Sequence, residues 1–187
     1  MKTIFTYFHQ LSNTNQYLEL QKIDLWTKSW EKAGWKTAVL NQGHARCSGY
    51  ITKIYRLISE AIPNIQDRNP AIEDLFRARL ERLCGLHAAG GGWLSDYDVV
   101  NTGFTPQMAE ECEKNSFVLS GNPAYLIRIS NEIINAAISR ILNSNLIVEG
   151  KILYEQDIFN PFLNLESEFT LHLPDYENMK KIFLEKN

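Results

Sequence analysis

The first forty residues constrain the fold more than any other segment. Residues 3–8 (TIFTYF) are β-branched and aromatic, and they give way to a polar run at residues 9–16, the pattern of a buried strand opening into a loop. From Tyr17, apolar residues recur at helical spacing as Leu20, Ile23, Trp26, Trp30 and Ala33, and Gly34 supplies the stop. Residues 35–40 read as a second strand. A strand, a helix and a strand in that order favour a parallel pair joined by a right-handed crossover, so the opening predicts an α/β protein.

The rest of the chain extends that pattern. Ile51, Ile54, Ile58 and Ala61 trace a short amphipathic helix ending before Pro63, and a longer helix is expected over residues 70–89, broken by Gly90, Gly91 and Gly92. Residues 93–100 read as a strand, 105–114 as a helix opening on Thr105-Pro106, 117–120 as a strand and 127–142 as a helix. Weaker strand signals fall at 152–154 and 169–173. No repeat or linker divides the sequence, so residues 1–187 are expected to form a single domain.

Composition removes several classes of function. The net charge of -3, without a Lys/Arg cluster, argues against a nucleic-acid partner. No run approaches the roughly 20 apolar residues that cross a bilayer, and the apolar stretch after Met1-Lys2 stops at His9, too early for a leader peptide. Three cysteines, Cys47, Cys84 and Cys112, are odd in number and far apart, which indicates neither a disulfide framework nor a zinc site and suits a cytoplasmic location.

Chemistry concentrates in Gly90-Gly-Gly-Trp-Leu-Ser-Asp96-Tyr-Asp98. Carboxylates separated by one residue share a side of an extended chain, so Asp96 and Asp98 are expected to reach one ion. Magnesium and manganese prefer oxygen ligands and are commonly held by one or two carboxylates together with substrate phosphates. The glycines are expected to let a ligand approach the backbone.

At this stretch the sequence resembles glycosyltransferases of the GT-A fold, in particular the family named for a sugar-binding region with an Asp-x-Asp motif, which includes capsular-polysaccharide and mannosyl enzymes. The resemblance rests on Arg82, Gly91-Gly92, Trp93-Leu94 and Asp96-Tyr97-Asp98, with Phe8-His9-Gln10 after the first strand. The family usually has an aspartate three residues before the helix arginine, where this chain has Arg79, and one extra residue separates Arg82 from the glycine pair.

The resemblance implies a GT-A-like α/β fold, a mainly parallel central sheet flanked by helices, and transfer of a sugar from a nucleotide-sugar donor to a saccharide or other hydroxyl acceptor. It implies Mn2+ or Mg2+ on the donor's diphosphate, with Asp98 as principal ligand and Asp96 at the ribose, the sugar or a metal-bound water. The nucleotide would lie near Thr6, Tyr7 and Phe8, with His9 orienting the loop near the base and Gly91 and Gly92 letting the ligand approach the backbone; apart from the resemblance, Arg79 and Arg82 are candidates to face the diphosphate. His172 is the candidate third metal ligand, and Asp157 the candidate acceptor-side base or sugar contact.

Each of these residues has a plainer reading: capping carboxylates in a solvated turn, surface ion-pair arginines, a histidine packed between leucines. Two other functions fit the motif. Asp96-Tyr-Asp98-Val formally matches the nucleophile motif of haloacid-dehalogenase-type phosphohydrolases, although the glycines stand where those enzymes need an apolar strand. A nucleotide-sugar-binding protein without catalysis would keep the same donor site.

Overall fold

The computed structural model describes residues 1–11, 14–61, 70–112, 117–120, 126–143 and 179–181. The expected opening is present: β1 (Thr3–Tyr7), α1 (Gln16–Lys32) and β2 (Lys36–Leu40), with β1 and β2 parallel. The Asn15 side chain caps α1 by accepting from the Tyr17 amide at 3.0 Å, and Gly34, at φ 92°, turns the chain out of the helix.

The polar loop expected after β2 contains a helical turn, α2 (Gln42–Ala45), which Asn41 caps through a reciprocal pair of bonds with His44. Then come α3 (Ile51–Ala61), α4 (Pro70–Ala88), β3 (Gly91–Ser95), β4 (Val99–Asn101), α5 (Pro106–Cys112), β5 (Phe117–Ser120), β6 (Leu126–Ser130), α6 (Asn131–Asn143) and β7 (Met179–Lys181). The main sheet has the order β2-β1-β3-β6-β5, and β4 pairs with β7 in a separate antiparallel ribbon.

β1 is parallel to both of its neighbours, whereas β6 runs antiparallel to β3 and to β5. Four strands of the main sheet therefore point one way and β6 points the other. Two expectations are corrected here. Residues 127–130 are strand, with the helix beginning only at Asn131, because Leu126, Ile127 and Ile129 bury against both sides of the sheet. Residues 93–100 are not one continuous strand, because the chain turns between Ser95 and Val99.

Alternation along the strands sorts the core into two layers. On one face Ile4, Trp93 and Leu126 pack with Trp26, Trp30, Trp35, Phe104 and Ala109, bringing in α1 and α5. On the other, Leu94, Ile127 and Ile129 pack with α2, α3, α4 and α6 through residues such as Ala45, Ile54, Leu80 and Ile138. All four tryptophans of the chain lie in the first layer.

The tryptophans fix α1 to the chain that leaves β3. Trp26 Nε1 donates to Ser95 Oγ at 3.3 Å, Trp30 Nε1 to the Val99 carbonyl at 3.3 Å and Trp35 Nε1 to the Phe104 carbonyl at 2.8 Å. Buried indoles need such partners; Trp26 and Trp30 hold the two ends of the Asp96–Asp98 turn, and Trp35 holds the chain beyond it. Among the described residues no helix is long and apolar enough to cross a membrane.

Candidate functional site

The connection from β1 through α1 to β2 covers one face of the sheet, while α4 returns over the other face to β3, on the opposite side of β1. The two crossovers diverge between β1 and β3, and a crevice opens at the carboxyl ends of those strands, the usual ligand position in α/β sheets. It is a cleft of about 330 Å³. Thr6, Tyr7, His9 and Leu11 line it from β1 and the following loop, and Lys22 from α1. Leu75, Ala78, Arg79 and Arg82 contribute from α4, and Ser95, Asp96, Tyr97 and Asp98 from the end of β3.

Asp96 and Asp98 thus share one cleft, by a different route from the one expected. They sit in a turn rather than along an extended strand, with the Val99 amide donating to the Asp96 carbonyl at 3.2 Å. Ser95 Oγ donates to the same carbonyl at 3.0 Å. Between the carboxylates, the Tyr97 hydroxyl donates to Glu19 Oε2 on α1, and Lys22 Nζ holds the other Glu19 oxygen at 2.9 Å. Burial first, then the bond to Glu19 and the surrounding carboxylates, push the Tyr97 phenol above its usual range and keep it a donor.

Arg82 Nη1 donates to Asp96 Oδ1 at 2.7 Å across the cleft wall, with both side chains partly buried. Arg79, one turn earlier on α4 on the same side, also faces the cleft. Thr6, fully buried, carries a hydroxyl with no hydrogen-bond partner among the described residues. A buried hydroxyl in that state costs about 1–3 kcal/mol, which a polar ligand atom or water reaching it would offset.

Phe8, Gly91 and Gly92 stand outside the cleft lining. Phe8 packs edge-on against Tyr97 with ring centroids 5.8 Å apart, so it supports the turn from behind. The glycines serve the sheet. A Cβ on Gly91 would lie 2.7 Å from the Ile129 carbonyl oxygen, and one on Gly92 would lie 3.3 Å from the Phe5 ring, both at positive φ. The space beside Gly91 and Gly92 is filled by this chain, whereas a Cβ on Gly90 would meet nothing within 4 Å. Asp157 and His172 lie outside the described residues.

Sequence reasoning missed the carboxylate most enclosed by protein. Glu81 on α4 has no exposed surface and accepts from Tyr7 Oη at 2.8 Å, Tyr55 Oη at 2.8 Å, Gln42 Nε2 at 3.3 Å and, through Oε2, pairs with His9 Nδ1 at 3.2 Å. Gly85, one turn further on, leaves room for the Tyr7 ring at 3.4 Å from where its Cβ would be. The available signal was a glutamate inside the apolar stripe Phe76, Leu80, Cys84.

Among the described residues there is no group of three or more His, Cys, Asp or Glu side chains arranged to hold a metal ion. What the cleft offers a cation is carboxylate oxygen, from Asp96 and Asp98. That donor set suits a hard ion of the magnesium or manganese kind completed by a ligand's own phosphates, and does not suit a protein-only cage.

No protein-family model and no curated protein matches the chain. Among solved structures it is similar to PaToxG glycosyltransferase at 14% identity, with 90% of this chain and 71% of that one aligned and a TM-score of 0.46. It is also similar to a mutant transferase, at 10% identity over 96% and 92% of the two chains, with a TM-score of 0.41.

Proposed function

We propose that the cleft is the donor site of a metal-dependent glycosyltransferase, which moves a sugar from a nucleotide-sugar donor to a saccharide or other hydroxyl acceptor. The observation that carries this reading is the meeting of Asp96 and Asp98 with Arg79 and Arg82 in one crevice at the carboxyl ends of β1 and β3. A donor of this class presents a divalent cation and an anionic diphosphate side by side, and such a crevice offers each of them the opposite charge.

In this reading Asp98 is the principal ligand to Mn2+ or Mg2+. Asp96, turned toward Arg82, couples the metal side of the cleft to the phosphate side. Arg79 meets the diphosphate, and Leu11 and Leu75 give the nucleoside an apolar wall. The ion, when bound, stabilises negative charge on the departing nucleoside diphosphate. The chain's own part is to bind, orient and neutralise. The segment Thr6–Tyr7 sets the floor, Tyr97 and the tryptophan bonds lock the turn, and the arginines hold the leaving group in place.

The phosphohydrolase reading requires Asp96 as nucleophile. Its Oδ1 instead accepts a hydrogen bond from Arg82, which lowers its nucleophilicity. A thermal-shift panel of UDP-, GDP- and CMP-sugars with and without manganese tests the proposal, since a ligand that binds only the folded state raises apparent stability. A metal-dependent rise with at least one donor is expected. No rise with any of them refutes the donor assignment, phosphate release from phosphate esters supports the hydrolase, and binding without sugar transfer supports the non-catalytic reading.

A further inference from the structure

Glu81 is a buried carboxylate surrounded by donors from three elements of the fold and one loop. Tyr7 belongs to β1, Gln42 to α2, Tyr55 to α3, and His9 to the loop beyond β1, while Glu81 itself rides on α4. A carboxylate has about four acceptor positions, and these four donors fill them. With Tyr7, Tyr55 and Gln42 all donating to it, the carboxylate acts as the acceptor throughout, and its contact with His9 is completed when the facing ring nitrogen is the donor. His9 Nδ1–H is therefore turned inward, and Nε2 is the ring nitrogen left for whatever occupies the cleft that His9 lines.

We propose that Glu81 is a positioning residue, which fixes His9 in its Nδ1–H form so that Nε2 accepts a hydrogen bond from a hydroxyl of the bound ligand. The ligand half of this inference rests on the donor-site reading above; the ring-orientation half does not. The arrangement selects for a polyhydroxylated ligand over a bare phosphate ester, because a lone-pair nitrogen gains from a hydroxyl donor and gains nothing from a phosphate oxygen. A ribose hydroxyl and a sugar hydroxyl share this chemistry, and the test below separates them.

The test is nitrogen-15 NMR on the histidine-labelled full chain, with the His9 signals identified by their loss in His9→Asn. In the wild type, His9 is expected to show a protonated Nδ1 and a bare Nε2. Glu81→Gln can donate from its amide to Nδ1, so the proton is expected to move to Nε2 while circular dichroism stays unchanged. A wild-type ring protonated on Nε2 overturns the proposal without any binding data, and keeps it falsifiable even if Glu81→Gln fails to fold.

Titration with UDP-glucose and with GDP-mannose, using magnesium to avoid paramagnetic broadening, should then shift the Nε2 resonance. Glu81→Gln and His9→Phe should each weaken binding of the responding donor by roughly five- to tenfold, a single hydrogen bond's worth. The double variant should lose no more than either single one, as expected for residues acting through one contact. The 2′-deoxy and 3′-deoxy donors locate the hydroxyl on the ribose if either loses the Nε2 shift, and on the sugar if both keep it. Additive losses in the double variant, or a donor that binds without moving Nε2, overturn the ligand half; a wild type that binds neither of these two nor any other donor of the thermal-shift panel refutes the donor site and leaves the ring orientation to be judged by the first measurement.

Discussion

Arg82 Nη1 lies 2.7 Å from Asp96 Oδ1, so Asp96 is engaged by α4 before any ligand arrives. Asp96 accepts from the guanidinium on α4, and in the proposed donor site Asp98 would be the principal ligand to the ion. Removing the guanidinium without shortening the side chain, as in Arg82→Met, should release Asp96 to the cation and delete a like charge beside it. Manganese affinity without nucleotide is expected to rise several-fold, measured from the paramagnetic resonance of free manganese, while affinity for a nucleoside diphosphate falls. Unchanged manganese affinity would mean that Arg82 and the ion do not compete for Asp96.

Gly91 is expected to be essential for folding rather than for ligand access. Gly91→Ala places a methyl group 2.7 Å from the Ile129 carbonyl oxygen and forces a residue with a side chain to φ 82°, so a loss of more than about 2 kcal/mol is expected by urea denaturation. Gly90→Ala meets open space, leaving only the cost of φ 88°, about 1–2 kcal/mol. Equal losses at the two positions would contradict the packing role of Gly91.

Trp30 packs at 0% exposure between Trp26, Trp35 and Phe104 and bonds the Val99 carbonyl just beyond the acidic turn. Trp30→Ala is expected to cost about 3–5 kcal/mol, the range for deleting a buried aromatic side chain. A loss below 1 kcal/mol in chemical denaturation would show that this aromatic layer does not anchor the turn.

Tyr7 and Tyr97 are both held above the usual tyrosine range, first by burial and then by bonds to Glu81 and Glu19. Because the folded forms keep their protons to higher pH than the unfolded chain, the stability they contribute is fully present below about pH 10, the unfolded value, and is lost as pH rises beyond it. Denaturation midpoints are expected to fall steeply above pH 10 in the wild type and less steeply in Tyr97→Phe. Cys84, pushed by burial up to about 11, should stay unreactive toward iodoacetamide at pH 8 in the native protein.

The opening strand, helix and strand were legible because each carries its own periodicity, and Gly34 and the triple glycine mark real breaks. The acidic pair was legible as chemistry but not as geometry: alternation along a strand predicts a shared side, whereas the turn at residues 96–98 depends on Trp26, Trp30 and Glu19 from a helix some 70 residues earlier. The strand at residues 126–130 was hidden because Leu-Ile-Arg-Ile-Ser, directly followed by helix, gives apolar spacings that fit either period. Glu81 was missed for a related reason. Its partners come from β1 and the loop after it, from α2 and from α3, and no local pattern can show that a glutamate in an apolar stripe has four donors waiting for it.

In the proposed site Asp98 holds a cation that bridges to a diphosphate, which calorimetric titration of a nucleoside diphosphate with and without manganese tests on wild type and Asp98→Asn. Removing one member of a clustered pair of carboxylates relieves repulsion in the ligand-free protein, so the thermal midpoint is expected to stay the same or rise slightly. Wild type should bind the nucleotide more tightly with manganese than without. Asp98→Asn should lose that manganese-dependent gain while keeping any weak binding that the arginines provide, whereas Asp96→Asn should retain part of it. An Asp98→Asn protein that binds the metal and nucleotide together as wild type does would contradict the account, and one that unfolds would make the aspartate a structural residue of the turn.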